Sequence, residues 1–141
     1  MWIVYAVLSA VFASLTAILS KIGMAGINSN LATAIRTIVV LVMAWGMVFI
    51  TGQQHNIGGL TKQNWIFLIL SGVATGLSWL FYFQALQMGD ASVVVPIDKF
   101  SVVITMVLAF LFLGEKLDTQ KLIGGGLIAA GTLVLVVKWP F

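Results

Sequence analysis

The chain has 141 residues, of which 61% are hydrophobic and 8% charged: seven Lys/Arg, four Asp/Glu and one His, for a net charge of +3. An ordinary soluble domain carries about a quarter charged residues, so a water-facing surface cannot be built from this set and a soluble domain is excluded. With no cysteine and a lone His55, thiolate metal sites, thiol nucleophiles, disulfides and multi-histidine metal centres are excluded as well.

The basic residues lie at the ends of apolar runs, where they report membrane orientation rather than nucleic-acid binding. A helix needs about 20 apolar residues to cross roughly 30 Å of hydrocarbon. Residues 2–20 form the first such run and carry no charge. The run lacks a basic leader and a small-residue cleavage site, so it reads as a retained helix rather than a secretory signal. Ala6, Ala10 and Ser14 recur on it at four-residue spacing, which suits close helix packing. Tyr5, Ser9, Thr16 and Ser20 form a polar stripe. The second run, residues 31–51, is interrupted only by Arg36 near its start, which is placed to snorkel outward or to gate the site.

The third run, residues 65–88, brings Ser71, Thr75, Ser78 and Tyr82 onto one helical face. Gly72 and Gly76 add a GxxxG step for close approach. The fourth, residues 91–113, contains Pro96, which removes a helical hydrogen bond and kinks or breaks the helix, followed at once by Asp98 and Lys99. Lys99 lies about 12 Å from the start of this run at 1.5 Å per residue, near the bilayer middle. A charge at that depth marks a functional site by default. On a regular helix the two neighbours point about 100° apart, so each needs its own partner unless a break at Pro96 brings them together. Asp98 shares a face with Ser101 and Thr105. The competing reading is a buried ion pair that only locks a helix contact. Glu115, Lys116, Asp118 and Lys121 form a mixed-sign connection. The fifth run, residues 122–138, is short unless Lys121 and Lys138 snorkel, and it carries Gly124, Gly125 and Gly126. Trp2, Trp65 and Trp139 sit at run ends, where interfacial indoles belong.

The expectation is an all-α integral membrane protein, with residues 1–141 forming one five-helix domain and nothing left over for a catalytic module. Continuous rather than alternating apolarity excludes outer-membrane strands. No nucleophile–base pair, ATP-binding motif or cofactor motif is visible, so an enzyme is disfavoured and any driving force comes from an ion or solute gradient.

Several segments taken together resemble the EamA domain of the drug/metabolite transporter superfamily. They are Lys21 closing the first helix, Arg36 early in the second, and Tyr82-Phe83-Gln84-Ala85-Leu86 followed by Gly89-Asp90-Ala91-Ser92. Val95-Pro96-Ile97, Phe112-Leu113-Gly114-Glu115 and the glycine-bearing fifth helix from Ile123-Gly124 to Gly131 complete the set. The resemblance covers nearly the whole chain. It implies a carrier of small organic solutes in a bacterial-type inner membrane, commonly an exporter of metabolites such as amino acids, built from two inverted five-helix repeats. This chain holds one repeat, and Asp98-Lys99 stand where small or apolar residues are expected in two-repeat members. With the N-terminus inside, the basic residues outside the bilayer centre divide evenly, with Lys62, Lys116 and Lys121 on one side and Lys21, Arg36 and Lys138 on the other. That balance suits insertion in both orientations and an antiparallel homodimer, with another half-size chain as the other candidate partner.

Alternating access then places the site near the membrane midplane. Asp98 would exchange a coupling proton, Lys99 would hold an anionic group, and Tyr82, Ser78 and Thr75 would line the path, with Ser101 and Thr105 beside Asp98. Pro96, Arg36 and Glu115 are gating or anchoring candidates. Two alternatives stay open. One is a small-multidrug-resistance-like proton/drug antiporter, disfavoured because the first helix has no acid. The other is a non-transporting membrane assembly subunit.

Overall fold

The structure, a computed structural model, describes residues 1–137. It is built from six helices: α1 (Trp2–Gly23), α2 (Ser29–Ile50), α3 (Lys62–Met88), α4 (Ala91–Asp98), α5 (Ser101–Leu113) and α6 (Thr119–Val136). Five segments are long and apolar enough to cross a membrane, with α4 and α5 together forming the fourth, Ala91–Leu113. The fold is therefore all-helical with five candidate membrane-spanning segments. Lys138 and Trp139 lie outside the described residues.

The helices are longer than apolarity alone marks, because polar caps extend them. Asn28 Oδ1 accepts the Asn30 N–H at 2.8 Å and starts α2 two residues before the apolar run. Asp118 does the same for α6, accepting from the Lys121 N–H at 2.8 Å. Past the end of α2, Gly52 takes a left-handed conformation (φ 69°) and the connection winds into a short 3-10 stretch, Gln53–Gly59. Gly114, at φ 65°, closes α5 with its N–H on the Ala109 carbonyl.

The chain falls into two compact units, residues 1–88 and 89–141. In the first, α1 and α2 both pack on α3. Its interior is small: Ala17, Met24, Ala32, Phe83 and Leu86 are buried, while large side chains such as Phe12, Val42, Phe67 and Phe81 face outward. That inversion is what lipid permits, since hydrocarbon outside is as good a solvent for Leu as the interior is. The Ala6/Ala10/Ser14 stripe is exposed, and the Ser14 hydroxyl donates back to the Ala10 carbonyl at 3.0 Å.

In the second unit, α4 and α5 each pack on α6. Gly125 is buried where α6 meets α5, and a Cβ there would sit 2.8 Å from Met106 Sδ. Gly124 and Gly126 have open space beside them. The fourth span breaks after Asp98 rather than at Pro96 itself. Pro96 has no N–H for the helical ladder. Four residues on, Phe100 donates to the Ile97 carbonyl at 3.0 Å, and Val102 and Val103 likewise bond three residues back. This tighter winding releases the Pro96 carbonyl, which the buried Thr132 hydroxyl of α6 reaches at 3.2 Å while also bonding the Ile128 carbonyl of its own helix at 2.9 Å. Non-helical backbone at membrane depth persists only where its freed groups find such a partner.

Candidate functional site

In the first unit the polar residues gather at the end where α1 leaves and α2 enters. Lys21, in the last turn of α1, donates from Nζ to the Leu86 carbonyl at 2.7 Å. That carbonyl belongs to the last turn of α3, which has no helical donors left and carries the negative end of the helix dipole. Gln87 returns the contact: its Nε2 donates to the Ile27 carbonyl at 2.5 Å, with the Met24 carbonyl at 3.4 Å. Lys21 thus ties α1 to α3, and Gln87 ties the α1–α2 connection to the same turn.

Arg36 lies about 10 Å along α2 from Ser29, counted at 1.5 Å per residue. It turns inward: its Cζ stands 3.9 Å over the Phe83 ring and 5.9 Å from the Trp79 ring. Phe83 is buried to 2% exposure, so the guanidinium rests on a desolvated aromatic face. Contacts of that kind are worth about 2 kcal/mol. Tyr82 meets Phe83 edge-on at 4.9 Å and is half-buried. Arg36 Nη1 is buried without a hydrogen-bond partner.

Two cavities flank this arrangement. One, about 420 Å³, lies between α1 and α2 and is lined by Thr16, Ser20 and Arg36 together with apolar side chains. The other, about 710 Å³, lies between α2 and α3. Asn30, Thr33, Thr37, Ser71 and Thr75 supply its polar wall, and Gly72 and Gly76 widen it, with open space beside each. Three of these hydroxyls donate to the carbonyl four residues back: Thr33 to Ser29, Thr37 to Thr33 and Thr75 to Ser71, at 2.8, 2.8 and 2.9 Å. Each therefore offers the cavity an acceptor oxygen rather than a proton. Ser78 is exposed and does not line this cavity. The hydroxyl stripe of α3 thus meets the cavity through Ser71 and Thr75, while Tyr82 packs on Phe83.

In the second unit, Asp98 and Lys99 meet at the break after α4, 3.6 Å apart from Nζ to Oδ2. The pair is not sealed off: the lysine side chain is 54% and the aspartate 37% exposed. Asp98 closes α4 and Ser101 opens α5, so the face shared by Asp98, Ser101 and Thr105 is interrupted by the turn between them. Ser101 and Thr105 are exposed. Glu115 lies in the α5–α6 connection, 3.8 Å from Lys121, with both side chains exposed. Among the described residues no group of three or more His, Asp or Glu side chains comes together as a metal site would require.

Sequence reasoning missed Thr132 and Gln87 as organising residues. The signal for Thr132 was a hydroxyl set inside the apolar stretch of α6, Leu122 to Val136. For Gln87 it was a neutral polar side chain at the end of an apolar run.

Residues 1–137 match the EamA-like transporter family. The chain is 49% identical over 136 residues to an uncharacterized transporter in the cobO 3'region of a Sinorhizobium species, covering 96% of both chains. It is also 36% identical over 72 residues to an uncharacterized protein of Methanocaldococcus jannaschii, covering 51% of this chain and 53% of the other. No solved structure matches.

Proposed function

Because the chain belongs to the EamA-like transporter family, and is thus a multi-pass membrane transporter of unspecified substrate, we propose that it is a secondary carrier of a small organic metabolite, amino-acid-like in size. It works by alternating access as a two-subunit assembly in the inner membrane. The observation that carries this reading is the Asp98–Lys99 pair at a helix break in the middle of a span. An intramembrane charge is expensive, and a pair left a third to a half exposed is ill suited to a purely structural lock. It is suited to opening and closing. Protonation of Asp98 releases Lys99, and the tightened turn at Lys99-Phe100 lets the two halves of the span move as separate helices.

In this scheme Asp98 exchanges the coupling proton and Lys99 answers its charge state. Ser101 and Thr105 lie beyond the break on α5. The α2–α3 cavity, with Thr75 in its wall, lies on the solute's path, and Ser78 and Tyr82, outside that wall, continue the polar stripe of α3 along it. Inverted repeats in secondary transporters surround a midplane site. Two copies inserted in opposite directions would reproduce that arrangement from one five-helix repeat, and the even division of basic residues suits it.

Two experiments test the proposal. Reconstituted in vesicles with an internal pH indicator, the wild-type protein should couple solute addition to proton movement. Asp98→Asn should bind solute and move no protons; proton flux surviving in that variant would sink the coupling role. For the assembly, paired C-terminal reporters, one active inside and one outside, should both give signal. Signal from one alone would replace the antiparallel dimer by a parallel assembly or a second chain.

A further inference from the structure

Resting on the carrier reading above, we infer that the cavity between α1 and α2 is a carboxylate site, taking the anionic end of a small organic acid on Arg36 and its apolar body against Leu19, Ile27 and Ile35. The starting point is an imbalance of charge. Residues 1–88 contain Lys21, Arg36 and Lys62 and not one Asp or Glu; all four acids of the chain lie in residues 89–141. Arg36 keeps its charge under all ordinary conditions, and it sits inside a membrane-spanning helix. The Phe83 and Trp79 rings answer part of that charge through their faces. Rings accept nothing from the in-plane N–H groups, and Nη1 is buried with no hydrogen-bond partner. Nη1 is closed off on its own side, so a ligand in the cavity meets the rest of the guanidinium, which is backed by aromatic faces and lines the wall; a carboxylate is the acceptor that matches it.

The cavity wall matches such a ligand at both ends. Arg36 closes it from α2, and the Thr16 and Ser20 side chains add hydroxyls from α1. The remaining lining is aliphatic, and the volume of about 420 Å³ falls within the range of small-molecule sites. Lys21, the other cation at this end, is engaged with the Leu86 carbonyl. A cationic solute would enter a unit with no counter-charge, and a neutral amide would leave the guanidinium uncompensated. The chemistry selects an acid with a short apolar tail.

The test uses the purified full chain in a neutral detergent, with hexanoate as probe and hexanamide and hexylamine as matched controls. A ligand that binds only the folded protein raises its melting temperature with concentration. Hexanoate should do so saturably and the controls should not. In Arg36→Gln the half-saturating hexanoate concentration should rise at least tenfold, with Arg36→Lys intermediate. Thr16→Leu, which fills the cavity and keeps the guanidinium, should show a similar rise and carries the test if Arg36→Gln fails to fold. An unchanged hexanoate effect in Arg36→Gln or Thr16→Leu, an equal effect from hexanamide, or no effect in wild type would each overturn the site. Stabilisation by phosphatidylglycerol without any by hexanoate would assign Arg36 to a lipid headgroup instead. Loss of the dimer in Arg36→Gln, with no hexanoate effect in wild type, would assign it to a carboxylate of the second copy. The carrier reading fails separately: Arg36-dependent hexanoate binding with no solute movement in vesicles would leave the site standing and remove transport.

Discussion

The two units of this chain handle charge in opposite ways. In residues 1–88 there is no acid, and the cations are answered by neutral groups: Lys21 by the Leu86 carbonyl and Arg36 by the Phe83 and Trp79 rings. In residues 89–141 acids and bases are equal in number, and two of the described cations, Lys99 and Lys121, pair with Asp98 and Glu115. All of the net charge of +3 therefore resides in the first unit. A cation set against carbonyls or rings has no carboxylate beside it, so its charge does not depend on the protonation of an acid. A cation paired with a carboxylate can be switched by a single proton. Constant charge suits recognition, and switchable charge suits coupling.

The contrast can be broken most decisively at Lys99. Lys99→Ala should abolish transport in vesicles while insertion and dimerisation persist. Transport persisting in whatever fraction assembles, alongside loss of the dimer, would make the pair a structural lock. In the first unit, Lys21→Met removes the donor at the end of α3 and should lower stability by about 1–3 kcal/mol, the cost of leaving a buried polar group unsatisfied. A shift in the denaturant midpoint of the detergent-solubilised protein would report it, and added salt should not change the difference. Smaller still, Thr132→Val keeps the shape but strips the hydroxyl from the Pro96 carbonyl, for about 1 kcal/mol. Its sharper signature is faster amide exchange at Lys99 and Phe100. Glu115→Gln should cost well under 1 kcal/mol, as exposed pairs do; a larger loss would show that the α5–α6 connection is more than a solvated turn.

Much of the architecture was legible residue by residue. The five spans follow from summed apolarity, and each apolar run has a helix over it. Their ends were less legible, because Asn28 and Asp118 start α2 and α6 with side-chain caps that hydropathy does not register. Pro96 announced a disturbed fourth span, but the break lies at Lys99-Phe100, where the three-residue bonding sets in. The Asp98–Lys99 contact sits at the start of that turn, between sequence neighbours that need not meet on a regular helix. Arg36, which reads from its position near a run end as able to snorkel outward, stacks on Phe83 instead.

What the sequence alone determined is the solvent and the local structure: a chain so poor in charge must live in lipid, and in lipid its backbone must close its own hydrogen bonds as helices. Only the tertiary structure decided which groups answer which. Lys21 finds a carbonyl 65 residues away, and the Thr132 hydroxyl reaches Pro96 36 residues back along the chain. Apolar runs add up locally and can be summed along a sequence. Partners across helices depend on the rotation and depth at which each helix packs, and in lipid many faces are equally apolar, so the pattern of hydrophobicity does not choose among them.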